Sequence, residues 1–319
     1  MIGVTGASGE LGGRVAARLA KMGVRQRLIV RNPDKTPRLP GAEVAVAPAY
    51  GDAAAMGRAL HGVETLFLVS AHDKFGVDQN AIMHGKAPPA YDRLREQCTA
   101  ADAAAAIGVR RIVYLSFMSA APDATFILSH DHYYTEEHIR HIGVDFTFLR
   151  MSLYTDHVPV IISDDGVIRG PGGEGRAAWV TRDDIAEVAA IVLTQGGEHD
   201  GETYDVTGPE ALSLTEAAEK LSFATGRKIT YQMQTPHEAR LTRTTSGMDK
   251  FEAERRAKNG TGLSDYDVEV FVTHFMQIAT GELSAVSDTV PRLTGHKAQS
   301  LSEYLQKHPE SYQHLLAHK

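Results

Sequence analysis

The sequence predicts an α/β protein: a doubly wound parallel sheet with a smaller, mostly helical C-terminal lobe. Three observations predict it. Short apolar runs alternate with helix-like segments through the first half of the chain. Glycines 6, 9 and 12 stand where the first run passes into the first helix. From Pro236 onward the pattern is mostly helical. Strands that alternate with helices form parallel sheets covered on both faces, and right-handed crossovers then give the doubly wound order.

The apolar runs lie at residues 2–5, 28–31, 44–47, 66–70, 111–116 and 146–150, several of them β-branched. Helical patterns fill the gaps at 11–21, 53–60, 92–106 and 132–141. Residues 166–175, GVIRGPGGEG, are glycine-rich and read as a loop or tight hairpin. Gly170-Pro171-Gly172-Gly173 lacks the Lys-Ser/Thr ending of a phosphate loop, so a turn is the better reading. Residues 182–193 read as a helix with Thr181 or Asp183 as N-cap, and 202–206 as a strand. Ser213 followed by Glu216 matches a capping box, and the helix it opens ends at Gly226. Residues 229–233 read as a short strand. Between the fourth strand and the next helix, residues 72–89 exceed the usual βα loop. Loops at this end of a sheet border the ligand crevice, so the segment is either a flap over a site or a surface excursion.

The bulk numbers exclude several classes. The chain has 319 residues, 43% hydrophobic and 23% charged, which suits an ordinary globular protein. A formal net charge of −7 gives no support to nucleic-acid binding. No stretch approaches the roughly 20 apolar residues that span a bilayer. The start Met1-Ile2-Gly3-Val4-Thr5 has no basic segment followed by an apolar one, so no signal peptide is read there. A single cysteine, Cys98, excludes an internal disulfide framework and reads as a small hydrophobe on an Ala-rich helix. Together these features point to the cytoplasm.

The glycines carry the first functional expectation. Gly6 permits the tight turn leaving the strand, Gly9 lets backbone approach a pyrophosphate, and Gly12 lets the helix pack on the strand. The helix N-terminus supplies unpaired N–H groups and partial positive charge for the diphosphate. Thr5, Gly6, Ser8, Gly9, Glu10, Leu11 and Gly12 are therefore expected to hold a dinucleotide in a Rossmann-type domain, with Ser70 at the end of the fourth strand. That domain is expected over 1–155, with 180–207 returning to it. A smaller substrate-binding lobe over 156–319 is interleaved with it. At the end of the second strand, where a carboxylate would bind the ribose 2′-OH of NAD, stands Arg31. A guanidinium suits the 2′-phosphate of NADP(H), with Arg27 or Lys35 able to assist. Asp52 is expected either at the adenine edge or as the N-cap of helix 53–60.

These residues resemble the NmrA-like branch of the atypical short-chain dehydrogenases, and within it the NADPH-dependent quinone oxidoreductase and triphenylmethane reductase group. The resemblance rests on residues 4–12, Val30-Arg31-Asn32, Gly51-Asp52, residues 112–116, Thr135-Glu136, and Phe148-Leu149-Arg150 followed by Tyr154. It is strong to about residue 210 and looser in the C-terminal helices. It implies NADPH on the Rossmann domain, a substrate between that domain and the C-terminal lobe, and hydride transfer to a quinone or similar conjugated aromatic acceptor. It also implies that His132 approaches the nicotinamide ribose. Relatives often carry Asn after the Leu-Arg that ends the sixth strand; here Met151 and Ser152 stand in that place.

Catalytic residues are less well marked. The Tyr-x-x-x-Lys pair of typical short-chain dehydrogenases is absent: four residues after Tyr133 and Tyr134 stand Glu137 and His138. Quinone reduction needs less, because the cofactor brings the reactive hydride and the protein mainly orients it. His132 is the candidate for orienting the ribose and relaying protons, or else a packed helix-face histidine. Phe117 and Tyr154 either line an aromatic substrate slot, with Tyr154 also a catalytic candidate, or pack in the core. His130, His132, His138 and His141 lack the spacing and companion ligands of a metal site. The competing function is a non-catalytic NADP(H)-sensing regulatory protein. The chain leaves the oligomeric state open.

Overall fold

The computed structural model describes residues 1–71, 89–245 and 265–316. Except for Pro89, the 72–89 segment expected as a flap or excursion lies outside the described residues. Seven parallel strands form the central sheet in the order β3-β2-β1-β4-β5-β6-β9. They are β1 (Ile2–Thr5), β2 (Gln26–Val30), β3 (Ala42–Val46), β4 (Thr65–Val69), β5 (Arg111–Phe117), β6 (Asp145–Met151) and β9 (Thr203–Val206). The helices of this half are α1 (Glu10–Lys21), α2 (Ala53–Leu60), α3 (Pro89–Ala106), α4 (Ile127–His141) and α5 (Arg182–Gln195).

Period-two alternation divides each strand between two cores. Val113 and Leu115 of β5 and Leu149 of β6 join Leu11, Val15 and Leu19 of α1 and Ile185 and Val188 of α5 on one face. Ile112 and Tyr114 of β5 and Phe148 of β6 join Met56 of α2, Ala100 of α3 and Ile139 of α4 on the other. Burial on both faces explains why the strands read as continuous apolar runs. The strand order reverses between β1 and β4, and the loops after these two strands open a crevice at their carboxyl ends.

The remaining strands are β7 (Val167–Gly170), β8 (Arg176–Ala177), β10 (Leu212–Ser213) and β11 (Thr230–Met233). They accompany α6 (Leu214–Thr225), α7 (Pro236–Thr245), α8 (Asp265–Ala279), α9 (Thr289–Thr294), α10 (Leu301–Lys307) and α11 (Gln313–Leu316). The capping box at Ser213 and Glu216 forms as expected, and Gly226 ends α6 in the left-handed region. Thr181 caps α5 by accepting from Asp184 N–H. Three differences stand out. The loop expected at 166–175 is half strand, because β7 pairs in parallel with β11, more than sixty residues further on. Its glycines serve packing: a Cβ on Gly170 would lie 2.4 Å from the Phe275 ring, and one on Gly175 would lie 1.8 Å from the Ile278 carbonyl oxygen. Helix α4 begins at Ile127, a turn and more before the predicted start, and β2 ends at Val30. No described helix is long and apolar enough to cross a membrane.

Candidate active site at the crevice

The glycine-rich turn is built as its spacing requires. Gly6 leaves β1 with φ +62°, and Gly9 N–H donates to the Gly6 carbonyl at 2.9 Å. Gly9 is the N-cap of α1, and no side chain caps that end. Ser8, Gly9 and Glu10 are exposed, so the first N–H groups of the helix face the crevice, while Leu11 and Gly12 are buried beneath them. A Cβ on Gly12 would lie 2.3 Å from the Gly6 carbonyl oxygen and 2.9 Å from that of Thr5. Only glycine allows this approach of helix to strand. An uncapped helix N-terminus over a turn that excludes side chains fits a diphosphate.

Thr5 has a different position from the rest of the turn. It is fully buried. Its Oγ1 donates to the Phe67 carbonyl at 3.1 Å and accepts from Val69 N–H at 2.9 Å. The side chain therefore ties β1 to β4 beneath the crevice floor. Tyr50 adds a second tie, donating to the Val69 carbonyl at 2.9 Å. Burial pushes its phenol up to about 12, opposed by a hydrogen bond with Thr5 and by the nearby Arg31 charge. Tyr50 was not among the expected site residues, although it directly precedes Gly51-Asp52.

Arg31 is exposed just past the end of β2, and no carboxylate pairs with it among the described residues. Arg27, expected to assist, does not reach this place. It lies near the start of the strand, roughly 13 Å away at about 3.3 Å per residue, and binds Glu43 at 2.7 Å. Asp52 is the N-cap of α2, where one carboxylate oxygen accepts from Ala55 N–H at 2.9 Å. Ser70 follows β4, half-buried at the same edge of the sheet.

His132 lies on α4 with 3% of its surface exposed. Its Nε2 faces Arg93 Nη2 at 3.1 Å, and its Nδ1 faces the Tyr114 hydroxyl at 2.9 Å. Arg93 also donates to the Ala71 carbonyl at 3.0 Å and pairs with Asp131 at 3.1 Å. Gln97, one turn further along α3, accepts from Ala71 N–H and from Tyr114 and donates to Thr135. Burial, then the Arg93 and Arg150 charges, hold the His132 imidazole well below the usual histidine range. Arg93, Gln97 and Tyr114 were not among the expected site residues. The available signal was a polar pair one turn apart on an otherwise Ala-rich helix.

A histidine kept neutral in the fold makes stability fall toward acid. Below its unfolded value near 6.5 the unfolded chain takes up a proton that the folded one refuses, at about 1.4 kcal/mol per pH unit. Urea unfolding between pH 7 and 5 is expected to show this slope, and His132→Gln should make it shallower by about that amount. An unchanged slope would contradict the neutral assignment.

Phe117, at the end of β5, is buried between His132, with ring centroids 6.1 Å apart, and Phe126 at 5.5 Å. Tyr154 follows β6 and is half-buried. The Arg182 guanidinium lies 4.1 Å from its ring centre, and burial raises its phenol to about 12. Glu136, one turn beyond His132, is completely buried. Arg150 binds it through two nitrogens at 2.9 and 2.6 Å, and the Ser116 hydroxyl donates to it at 2.5 Å. This group fixes α4 against β5 and β6, and so fixes where His132 stands. The glycine turn, Arg31, Asp52, Ser70, Phe117 and Tyr154 thus stand at or after the carboxyl ends of strands in one sheet, and His132 on α4 packs against Phe117.

The chain matches a family described as NAD(P)H-binding over residues 6–196. It is 34% identical over 318 residues to the (4-alkanoyl-5-oxo-2,5-dihydrofuran-3-yl)methyl phosphate reductase of Streptomyces griseus, covering 98% of this chain and 99% of that protein. It is 32% identical to quinone oxidoreductase 2 of Escherichia coli, covering 95% and 96%. The crystal structure of the NADPH-dependent quinone oxidoreductase of Escherichia coli with NADPH superposes with a TM-score of 0.77 at 30% identity, covering 96% and 99%. Triphenylmethane reductase of Citrobacter sp. with NADP(H) gives a TM-score of 0.75 at 27% identity, covering 96% and 99%. In sequence and in fold, the chain belongs to the NAD(P)H-binding family, alongside these reductases.

Proposed function

We propose that the protein is an NADPH-dependent oxidoreductase that delivers hydride to a quinone or similar conjugated aromatic acceptor. The observation that carries the cofactor choice is Arg31, an exposed guanidinium beside the glycine turn with no carboxylate partner among the described residues. The acceptor class follows from what the relatives' names state: a quinone for one, and for another an unsaturated ring conjugated to carbonyls.

In this reading the N–H groups at the start of α1 bind the pyrophosphate and Arg31 binds the 2′-phosphate. Bound NADPH supplies the hydride, and the protein contributes position and electrostatics. His132 orients the nicotinamide ribose from α4. Tyr154 keeps its Oη proton at neutral pH, since its phenol is raised to about 12. It can therefore donate a hydrogen bond to an acceptor oxygen as charge develops there. Tyr154 supplies ring surface for a flat acceptor, and Phe117 packs behind it in the core. The Rossmann-type domain and a C-terminal substrate lobe are the working parts.

The test is fluorescence titration with NADPH and NADH, followed by acceptor-dependent loss of reduced-nicotinamide absorbance with a panel of quinones and a butenolide phosphate. Losing a charge-assisted bond of roughly 1.5–3 kcal/mol, Arg31→Ala should weaken NADPH about 10- to 150-fold and leave NADH unchanged. Equal weakening of both nucleotides would remove Arg31 from the 2′-phosphate. Tight NADPH binding with no oxidation by any acceptor would favour the second reading, an NADP(H) sensor. That reading draws on the absent Tyr-x-x-x-Lys pair and on a His132 whose two nitrogens already have protein partners.

A further inference from the structure

The polar cluster around His132 admits a single assignment of its protons. Ala71 N–H can only donate, so the Gln97 atom that faces it at 3.0 Å is the amide oxygen. The Gln97 nitrogen then donates to Thr135 Oγ1 at 3.0 Å, and Thr135 passes its own proton to the Asp131 carbonyl at 2.7 Å. The Arg93 guanidinium also only donates. Its three nitrogens face three different acceptors: Nε the Ala71 carbonyl, Nη1 Asp131 and Nη2 His132 Nε2. A proton on His132 Nε2 would point at a cation. Nε2 must therefore be bare and Nδ1 must carry the ring proton. Nδ1–H donates to the Tyr114 oxygen, and Tyr114 donates onward to the Gln97 oxygen at 3.1 Å. In this arrangement no donor meets a donor, and the Gln97 oxygen accepts from both Ala71 N–H and Tyr114.

We infer that Arg93 is a positioning residue that fixes His132 as the neutral Nδ1–H tautomer, with Nε2 accepting from the guanidinium. Arg93 does so while holding the Ala71 peptide at the end of β4, which couples the histidine to the crevice edge. Among the described residues, the charged and titratable groups acting on the ring are Arg93 from α3, Tyr114 from β5 and Arg150 from β6, with Asp131 on its own helix. Both guanidinium groups oppose protonation. Asp131 favours it, but its charge is taken up by Arg93 at 3.1 Å. His132 is consequently not the acid of the reaction. On the proposed oxidoreductase reading, on which this consequence rests, the acceptor's proton comes from another group.

Long-range proton–nitrogen correlation on the full chain, labelled at histidine, reads the tautomer directly; His132→Gln identifies the signal. The wild-type protein should show His132 with the proton on Nδ1 and no titration from pH 8 to 5. A proton on Nε2, or a midpoint near 6.5, overturns the inference. Arg93→Met uncovers Asp131 and removes the donor, and should raise the His132 midpoint by roughly one to three pH units; an unmoved midpoint in the folded variant counts against Arg93. Arg93→Lys keeps a cation and should keep the ring neutral, and a midpoint raised as far as in Arg93→Met would also count against the assignment. If Arg93→Met does not fold, the wild-type tautomer and the lysine variant still decide. None of these readouts needs a cofactor or an acceptor, so an inactive quinone assay would sink the oxidoreductase reading and leave the tautomer standing. An active reductase with the proton on Nε2 would do the reverse.

Discussion

Gly12→Ala is expected to weaken NADPH and NADH alike, by roughly ten- to a hundred-fold, and to lower stability by about 1–3 kcal/mol. The reason is what the new methyl would meet. It would stand 2.3 Å from the Gly6 carbonyl oxygen, 2.6 Å from its carbon and 2.9 Å from the Thr5 carbonyl oxygen. All three are backbone atoms, so no side chain can swing aside. Helix α1 must lift away from β1, and its N–H groups move with it. Gly13→Ala is the control, because its methyl would meet the Ala7 carbonyl oxygen at 3.2 Å, a distance that small shifts relieve. Paired nucleotide titrations and urea unfolding of the two variants check this. Equal, small effects of Gly12→Ala and Gly13→Ala would mean that the turn tolerates displacement and that the dinucleotide is held elsewhere. The pattern also differs from Arg31→Ala, which should separate NADPH from NADH.

Arg150→Met is expected to cost about 3–5 kcal/mol of folding stability, because it strands a buried carboxylate. Glu136 has no exposed surface. Without Arg150 it keeps the Ser116 hydroxyl and a longer contact to Arg140 at 3.4 Å. Against a total stability of roughly 5–15 kcal/mol, that loss is large. Adding Glu136→Gln to Arg150→Met should recover part of it, since the charge that makes the loss so large is gone. Urea unfolding of the two single variants and the double variant gives the coupling directly. Strict additivity would show that the pair contributes nothing as a pair. The effect reaches the crevice, because Glu136 and His132 share a face of α4 one turn apart. A loosened α4 should also weaken whatever His132 orients.

Some of this was legible residue by residue. The sheet and its dinucleotide turn follow from local chemistry: apolar runs of strand length, a strand-to-helix junction at glycines 6, 9 and 12, and Arg31 at the end of the second run. The capping box at Ser213 and Glu216 is equally local, since both partners lie within one helical turn. Thr5 was expected at the cofactor, and its burial under Phe67 and Val69 depends on how β4 lies beside β1.

The sequence by itself determined the order of elements, the glycine geometry and the charge at the second strand end, because each is encoded within a few neighbouring residues. Only the tertiary structure decided that residues 167–170 are a strand, since their partner begins at Thr230. It also decided that Arg27 pairs with Glu43, and that Arg93 meets His132 across 39 residues of chain. Hydrogen bonds between distant segments leave no periodicity behind. They exist only once packing has brought the segments together, and at this crevice they set the protonation of the histidine.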